Sequence, residues 1–431
     1  MDGFTAFSKT RPETSISLPA CAIKRLAPAP AVCCNLPQMK KPTRVNHPPE
    51  IALPPGNRAL VSPIYQSVKF EFESVEETER SLRGERPGFF YSRASNPTVR
   101  QLELLVAEMQ GREDAIAVGS GVAAMAGCLF AQLKQGDHVL CFVETYGPTR
   151  YLIKRLLGRF GVSHTMISIE DDAGIEQVLA STPTRLVIFE SPTNPVTKIA
   201  DLARMTALAK QHGALSVMDN TFAGLHNHGQ YPVDLFVHSL TKYASGHGDV
   251  MGGAVIGNAD LIARMRTDYT IVGATLDPHA AFLILRGLKT YFLRYREQCA
   301  NAARIAQFLA THPAVTRVHF PGLASHPGHE LARRQMQEFG GIVSFDIRGG
   351  FDAGRRFADA LEYFALAASL GSTESLAMPP QMLRSRDLTP AQVLMSAITN
   401  GTVRLSIGIE DCDDLIADLA QALERSAPDP A

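Results

Sequence analysis

Two charged residues each follow a short apolar run of the sequence, where a side chain can be partly shielded from water. Lys242 ends the run Ser239-Leu240-Thr241-Lys242, and Asp219 lies 23 residues earlier. Partial burial keeps a lysine amine unprotonated near neutral pH, as formation of a Schiff base requires. Taken alone, the lysine could be a solvated loop residue and the aspartate a turn or helix N-cap residue. The pair at this spacing favours a site where the carboxylate keeps a pyridine nitrogen protonated, opposite the lysine.

A glycine-rich turn could hold the phosphate of such a cofactor. Gly119-Ser120-Gly121-Val122 precedes a helical pattern, and backbone N–H groups at a helix N-terminus attract anions. Hydroxyls at Ser239 and Thr241 could add donors, as could the phenol and guanidinium of Tyr91-Ser92-Arg93. By itself, a Gly-Ser-Gly run is more often a simple turn. With the lysine and the aspartate it predicts pyridoxal 5′-phosphate (PLP), whose protonated ring is an electron sink.

A tyrosine follows another apolar run, residues 138–142, in the segment Tyr146-Gly147-Pro148-Thr149. Its ring could stack on a cofactor ring. In isolation, a half-buried packing role is the commoner explanation. The assignment of Tyr146 to the site therefore depends on the residues described above.

The elements that would position these residues can be predicted from hydrophobic periodicity. Short apolar runs predict buried strands at residues 138–142, 186–189, 216–218 and 235–238. Helical patterns include residues 99–109, 122–133 and 201–212. Such alternation indicates a largely parallel sheet that is covered by helices on both faces. Ligands bind beyond the carboxyl ends of the strands in these sheets, which is where the candidate residues lie.

The C-terminal part of the chain predicts a second, smaller α/β domain. Residues 280–312 form a long helical pattern, with a break expected near Gly287. Beyond it, residues 343–347 and 403–407 predict strands, and residues 416–426 predict a closing helix.

We therefore expect an α/β protein with three parts. A PLP-binding large domain with an N-terminal arm would span residues 56–290, and a linking helix with the small domain would span residues 291–431. Residues 1–55 contain ten prolines and three of the seven cysteines, and this composition predicts a mostly disordered tail. A transit peptide is the less favoured interpretation of the tail, because it lacks an arginine-rich amphipathic helix.

Composition excludes several functional classes. The 431 residues carry 42 basic and 43 acidic side chains, a net charge of −1, which argues against binding to nucleic acid or anionic membranes. No apolar run is long enough to predict a membrane span. The cysteines show no CxxC pair, so we expect neither a disulfide framework nor a zinc site, and a cytoplasmic location fits best. No metal site is predicted at His226, His228, His238 or His247, because they lack a carboxylate or cysteine pattern around them.

A series of motifs in one order runs along residues 58–425. They are Pro63-Ile64-Tyr65-Gln66-Ser67, Tyr91-Ser92-Arg93 with Asn96-Pro97-Thr98, Ser120-Gly121-Val122-Ala123-Ala124, Glu190-Ser191-Pro192-Thr193-Asn194-Pro195, Asp219-Asn220-Thr221, His238-Ser239-Leu240-Thr241-Lys242-Tyr243 with Gly246-His247, Arg286-Gly287-Leu288-Lys289-Thr290, Ser369-Leu370-Gly371, and Val403-Arg404-Leu405-Ser406-Ile407-Gly408. Together they resemble the Cys/Met metabolism family of PLP-dependent enzymes. That family includes cystathionine γ-synthases, cystathionine β- and γ-lyases, methionine γ-lyases and homoserine sulfhydrylases.

The resemblance implies a role for each matching residue. Lys242 would form the Schiff base and shuttle protons, Asp219 would pair with the pyridine nitrogen, and Tyr146 would stack on the ring and act as a phenolate. Asn194 would lie near the phenolic oxygen of the cofactor. The implied phosphate ligands are Ser120, Gly121, Val122, Ser239 and Thr241, with Tyr91 and Arg93 supplied by the neighbouring subunit.

Arg404, together with Ser369, would hold the α-carboxylate of the substrate. An arginine fork suits a carboxylate, although a surface ion pair would be the default interpretation of an isolated arginine. The resemblance further implies PLP fold type I, and a homodimer that shares its active sites and assembles into a homotetramer.

The implied reaction is a lyase reaction on a sulfur-containing or γ-substituted amino acid, giving a 2-oxo acid and ammonia. The close alternative is γ-replacement, as in cystathionine γ-synthase or an O-acyl-homoserine sulfhydrylase. An aminotransferase or decarboxylase of the same fold is a more distant alternative, and a scaffold without cofactor is the least favoured.

The sequence departs from known members at positions that concern the side chain of the substrate. Pro148 stands where methionine γ-lyases usually carry a cysteine, and Ala368 stands where cystathionine enzymes often carry a glutamate. Gly371-Ser372 and Met382-Leu383-Arg384 also replace the usual residues. We therefore expect that cystathionine is not uniquely preferred.

Overall fold

A computed structural model describes residues 55–383 and 385–427 of the chain. All but the last residue of the tail predicted at residues 1–55 lies outside the described residues, and so does Arg384. Val61–Ala431 forms one compact unit that contains two sheets. The division into domains at about residue 290 stays a prediction.

The larger sheet has seven strands in the order β1-β7-β6-β5-β4-β2-β3. They are β1 (Asp114–Val118), β2 (His138–Phe142), β3 (Ser163–Ile167), β4 (Leu186–Glu190), β5 (Leu215–Asp219), β6 (Leu235–Ser239) and β7 (Gly253–Gly257). Only β7 runs antiparallel to its neighbours, and the other pairings are parallel. The four strands predicted in this part of the chain are all present, and they lie side by side.

Both faces of this sheet are buried, as the continuous apolar runs predict. Along β2, Leu140 and Phe142 pack into one hydrophobic core, whereas Val139 and Cys141 pack into another. This alternation follows from the two-residue period of a strand, so one run of apolar residues serves two helical layers.

Helices cover the two faces and connect the strands. They are α1 (Val75–Leu82), α2 (Pro97–Met109), α3 (Gly121–Gln132), α4 (Gly147–Tyr151), α5 (Asp172–Ser181), α6 (Leu202–Gln211), α7 (Ala259–Val272), α8 (Pro278–Leu288) and α9 (Tyr291–Thr311). After α4 the chain continues as a π-helical turn, Leu152–Leu156, and a 3-10 turn, Leu157–Phe160. The predicted break in the long helical stretch is confirmed, since α8 ends at Leu288 and α9 begins at Tyr291.

The smaller sheet has five strands in the order β10-β11-β12-β9-β8. They are β8 (Val315–His319), β9 (Ile342–Ile347), β10 (Ala365–Leu366), β11 (Leu376–Met378) and β12 (Thr402–Ser406). The helices of this part are α10 (His329–Gln335), α11 (Gly350–Ala360), α12 (Pro380–Leu383), α13 (Pro390–Met395) and α14 (Cys412–Arg425). All strand pairs here are antiparallel except β10 with β11.

The alternation along β12 decides where Arg404 points. Val403 and Leu405 belong to the core of the smaller sheet. Arg404 lies between them, so its side chain projects from the opposite face.

Among the residues that the structure describes, no helix has the length and apolar character needed to cross a membrane.

Candidate active site

Lys242 lies in the turn that follows β6, and its amine is directed at the smaller sheet. The Nζ atom donates a hydrogen bond to Ser369 Oγ at 2.6 Å. The backbone of the turn is closed by the Gly246 N–H, which donates to the carbonyl of Lys242. Burial lowers the pKa of Lys242, and the positive charge of Arg404 lowers it further. A lysine with this environment is available as a free amine nearer neutral pH than an exposed one.

Asp219 is the last residue of β5, and β5 pairs directly with β6. Its Oδ1 atom accepts hydrogen bonds from the Thr221 N–H at 3.0 Å and from the Thr221 hydroxyl at 2.6 Å. The Thr221 hydroxyl oxygen in turn accepts from the Ser239 N–H, at 2.9 Å. Burial raises the pKa of Asp219, while the two bonds from Thr221 oppose the shift. A buried carboxylate without a cationic partner suits a protonated ring nitrogen.

The N-terminus of α3 lies against the end of β6. Ser120 caps the helix, its Oγ accepting from the Ala123 N–H at 3.1 Å. The first N–H groups of a helix have no acceptor within it, so those of Gly121 and Val122 remain available. A Cβ atom on Gly121 would lie 2.8 Å from the Cβ of Ser239. The glycine turn and the serine thus form two sides of one cradle that suits a phosphate.

The hydroxyl of Thr241 has partners within the protein. It donates to the carbonyl of Gly252 at 3.2 Å and accepts from the Gly252 N–H at 3.0 Å. These bonds fix the turn that carries Lys242 to the segment before β7. The predicted role of Thr241 at the phosphate stays a prediction.

Tyr146 follows β2 and precedes α4. Its N–H donates to Glu190 Oε1, at the end of the neighbouring strand β4, and its side chain is 42% exposed. Burial raises the pKa of the phenol, the carboxylates of Asp219 and Glu190 raise it further, and Arg404 opposes them. These surroundings favour the neutral phenol over the phenolate.

Arg404 and Ser369 form the far side of the site. Arg404 is 4% exposed, and it donates through Nη1 to Asn194 Oδ1 at 3.0 Å and through Nη2 to the Ser369 carbonyl at 2.6 Å. Its buried Nε has no hydrogen-bond partner among the described residues. Burial lowers the pKa of Arg404 to about 10. A buried guanidinium with an unused donor suits a carboxylate ligand.

Ser369 connects the two ends of the site. Its hydroxyl accepts from Lys242, and its carbonyl accepts from Arg404. Its backbone φ of 138° is unusual for a residue with a side chain, and such conformations concentrate at functional sites.

Tyr91 and Arg93 lie on the segment before α2, and Arg93 lines a cavity together with Val118 at the end of β1. Both are exposed, and the Arg93 guanidinium stands 5.7 Å from the centroid of the Tyr91 ring. No hydrogen bond between described residues joins either of them to Lys242, Asp219 or Arg404. Their predicted contact with the phosphate of a neighbouring subunit stays a prediction.

Two residues of the site had no role in the sequence-based prediction. Thr221 fixes Asp219 to the backbone of β6, and Glu190 holds the backbone of Tyr146. Both lie within the motifs given in the sequence analysis. Their positions at or just after a strand end were the signal from which a role in the site could have been predicted. Among the described residues, no three histidine, cysteine or acidic side chains are arranged as metal ligands.

Comparison with known proteins adds independent information. The family model of the Cys/Met metabolism PLP-dependent enzymes matches residues 50–424. The chain is 44% identical to L-methionine gamma-lyase of Pseudomonas putida over 86% of its own length and 94% of that protein. It resembles the crystal structure of cystathionine gamma synthase from Xanthomonas oryzae with a TM-score of 0.81, at 37% identity, over 85% of this chain and 94% of that one.

A further solved structure contains the cofactor linked to a lysine. It is designated an O-acetylhomoserine (thiol)-lyase, from Campylobacter jejuni, and it carries pyridoxyl-lysine monophosphate. It matches with a TM-score of 0.80 at 34% identity, over 85% of this chain and 96% of that one.

Proposed function

The chain belongs to the Cys/Met metabolism family of PLP-dependent enzymes, and from this we propose that it is a carbon–sulfur lyase. Its substrate would be a sulfur-containing or γ-substituted amino acid, and its products a 2-oxo acid, ammonia and the released thiol. The relatives that the chain matches over most of their length include proteins named L-methionine gamma-lyase. The family match confirms the predicted PLP cofactor, the fold type I architecture and the PLP-dependent lyase class.

One observation carries the proposal for the substrate. The Lys242 amine is 2.6 Å from Ser369 Oγ, and the Ser369 carbonyl is 2.6 Å from a guanidinium nitrogen of Arg404. A lysine amine and a carboxylate-binding arginine therefore flank one serine. An α-amino acid presents an amine and a carboxylate on the same carbon, so its amine could take the place of the Lys242 amine while its carboxylate binds Arg404.

The residues present fit PLP. We propose that Lys242 binds its aldehyde carbon, Asp219 its ring nitrogen, and Tyr146 one face of its ring. Its phosphate would be held by the cradle of Ser120, Gly121, Val122 and Ser239, with Thr241 beside it. When bound, PLP supplies an electron sink for the charge that forms at the substrate Cα.

The side chains of the protein would divide the remaining tasks. Arg404, held by its bond to Asn194 Oδ1, would orient the substrate carboxylate so that the Cα–H bond faces Lys242 Nζ, and Asn194 would lie near the phenolic oxygen of the cofactor. The lowered pKa of Lys242 leaves its amine free to take up this proton. Asp219, fixed by Thr221, keeps its negative charge directed at the ring nitrogen.

The substrate class follows from the residue beside Ser369. Ala368 is exposed and carries only a methyl group, which cannot pair with the distal ammonium of cystathionine. We propose methionine or homocysteine, whose leaving groups are small and uncharged. Arg384, which could instead recognise a substrate with an acidic or hydrogen-bond-accepting tail, lies outside the described residues.

The decisive experiment follows all products at once. Purified enzyme with PLP is incubated with methionine, homocysteine, cystathionine or an activated homoserine, with and without added thiol, and 2-oxo acid, ammonia and thiol are measured. The lyase proposal expects 2-oxo acid and ammonia in equal amounts from methionine or homocysteine without added thiol. Lys242→Ala is the control and should be inactive. Product formation only from activated homoserine with added thiol would instead establish γ-replacement, the activity named for the Xanthomonas oryzae structure.

We also propose a homodimer that shares its active sites, and a tetramer built from two dimers. Tyr91 and Arg93 support sharing because both are exposed and no hydrogen bond between described residues joins them to Lys242, Asp219 or Arg404. Exposed apolar side chains on the same arm support a subunit contact, as at Val61, Val68 and Phe90, which are all more than half exposed.

Two further assignments stay proposals. The large domain would span residues 56–290 and the small domain residues 291–431, each with its own sheet. A cytoplasmic location is supported by the buried free thiols of Cys128, Cys141, Cys299 and Cys412.

A further inference from the structure

Arg150 connects the segment that carries Tyr146 to a distant part of the chain. It lies one turn after Tyr146, in α4, and its backbone N–H donates to the Tyr146 carbonyl at 3.1 Å. Its Nη1 atom donates to the carbonyls of Val143, at 3.0 Å, and Thr145. Arg150 thus holds the backbone at Val143 and Thr145 through its guanidinium, and at Tyr146 through its own N–H.

The other side of the same guanidinium binds Asp387 in a two-point ion pair. Nε donates to Oδ2 and Nη2 donates to Oδ1, both at 2.8 Å, and the two side chains are only 7% and 9% exposed. Lys154 Nζ adds a bond to the Asp387 carbonyl at 2.6 Å. Burial opposes ionisation of Asp387, but the hydrogen bonds and charge of Arg150 outweigh it and lower the pKa of the carboxyl.

We call this ion pair a clamp, and a second clamp joins the same two parts of the chain. Lys198 Nζ donates to Glu144 Oε1 and to the Met395 carbonyl, each at 2.8 Å. Glu144 lies two residues before Tyr146. The connection between the tyrosine segment and the chain around residues 385–395 is therefore made at two separate points.

The path of the described residues 379–383 and 385–389, which we call the wall segment, gives this connection its meaning. The segment begins directly after Met378, which pairs with Arg404 across β11 and β12. It reaches Arg150 at Asp387, beside Tyr146. The wall segment thus runs from beside Arg404, the proposed carboxylate ligand, to the segment that carries Tyr146, the proposed partner of the cofactor ring. With its carboxylate at Arg404 and the cofactor ring at Tyr146, a bound amino acid would place its side chain between those two points.

Pro148 lies on the tyrosine segment and Met382-Leu383 on the wall segment, and the ion pair joins these two parts of the chain. We propose that the Arg150–Asp387 pair positions Tyr146 and anchors the wall segment, and that it thereby determines which leaving groups the site accepts. The substrates named in this inference rest on the proposed function. The contacts of the clamp do not depend on it.

The first test compares substrates. Asp387→Asn keeps the shape of the side chain but removes the charge that pairs with Arg150. Because misplacement of a positioning wall by about 1 Å can cost ~100-fold, the ratio of kcat/KM for methionine to that for cystathionine should fall by at least about tenfold. Lys154→Met removes one anchor without leaving a buried charge unpaired, and it should shift the ratio in the same direction by a smaller factor.

The matched control is Asp413→Asn. Asp413 pairs with Arg304 at the surface, where both side chains are more than half exposed, and the same chemical change there should leave the ratio unchanged. An equal loss of kcat/KM for both substrates in Asp387→Asn and Lys154→Met would show a merely structural role and overturn the proposal.

The second test needs no activity. Amide hydrogen exchange is measured by mass spectrometry for peptides that cover the wall segment, in the PLP-bound wild type and in both variants. Exchange should be at least about tenfold faster in Asp387→Asn, since the opening of a local segment is governed by its own contacts. Unchanged exchange would refute the clamp. If exchange rises but wild type converts neither methionine nor cystathionine, the clamp stands and the proposed function fails.

Discussion

At the scale of single residues, the surroundings of Lys242 and Asp219 shift the pKa values of both side chains, and these shifts suit them to different chemical roles. Burial and the charge of Arg404 lower the pKa of Lys242, whereas burial raises the pKa of Asp219. Both shifts act against charge in a site that water has partly left. A protonated ring nitrogen beside Asp219 would restore the carboxylate, and the free amine of Lys242 would be ready to accept a proton.

Asp219→Asn tests the electron-sink role. The amide keeps the oxygen that accepts from Thr221 but cannot hold the ring nitrogen protonated. If that charge is worth ~4–5 kcal/mol in the transition state, kcat should fall about 10³-fold or more. Steady-state kinetics measure the loss, with the exposed Asp260→Asn as control. Turnover within a few-fold of wild type would contradict the assignment of Asp219.

At the scale of elements, the phosphate cradle depends on how closely α3 approaches the sheet. A Cβ on Gly121 would lie 2.8 Å from Ser239 Cβ, and a Cβ on Gly253 of β7 would lie 2.1 Å from the Ser120 carbonyl oxygen. Glycine at both places lets the N-terminus of α3 rest against the ends of β6 and β7. Side chains there would push apart the groups that form the cradle.

Gly121→Ala should therefore weaken cofactor binding. The new methyl group displaces α3 from Ser239, so we expect the Kd for PLP to rise at least about tenfold, as expected when a preorganised anion site is misplaced. Titration of cofactor-free enzyme with PLP, followed by absorbance, gives the value. Gly158→Ala is the matched control because no atom lies within 4 Å of its added Cβ. Equal affinities of the two variants would show that the approach of α3 is unimportant.

At the scale of the whole molecule, the proposed dimer would complete each active site with two residues of the other subunit. Tyr91 and Arg93 precede the larger sheet and are exposed, whereas Lys242, Asp219 and Arg404 are at least partly buried. Phosphate binding by the arm would place these two side chains in a partner's site. The oligomer would then be the catalytic unit rather than a set of independent enzymes.

Mixed oligomers test this arrangement. Arg93→Ala and Lys242→Ala chains should each have little or no activity alone. If subunits exchange at random within dimers, half of the dimers are mixed and each has one intact site, so activity should recover to roughly a quarter of wild type. The assay follows a mixture that has been unfolded and refolded together. Absence of recovery in verified mixed dimers would exclude sharing, and each variant refolded alone serves as control.

Local sequence was sufficient for much of the fold and for the centre of the site. The strand predicted at residues 138–142 is β2 without change, and the end of β5 carries Asp219 as expected. These predictions succeed because burial on both faces demands a continuous apolar run, and because parallel strands bring their carboxyl ends to one edge. By contrast, β1 and β7 were not predicted. Their alanines and glycines are weak strand formers, and they become strands through pairing with each other and with β6.

The remaining features depend on contacts between residues that are far apart in the chain. Arg404 and Asn194 are 210 residues apart, and Arg150 and Asp387 are 237 apart. No periodicity or spacing encodes such pairs, because each arginine is compatible locally with a surface position. Only tertiary packing excludes water from these guanidiniums and brings acceptors from distant parts of the chain within reach. Sequence alone therefore predicted the cofactor and the lyase class and named Arg404, whereas tertiary structure decided which residues surround each of these guanidiniums.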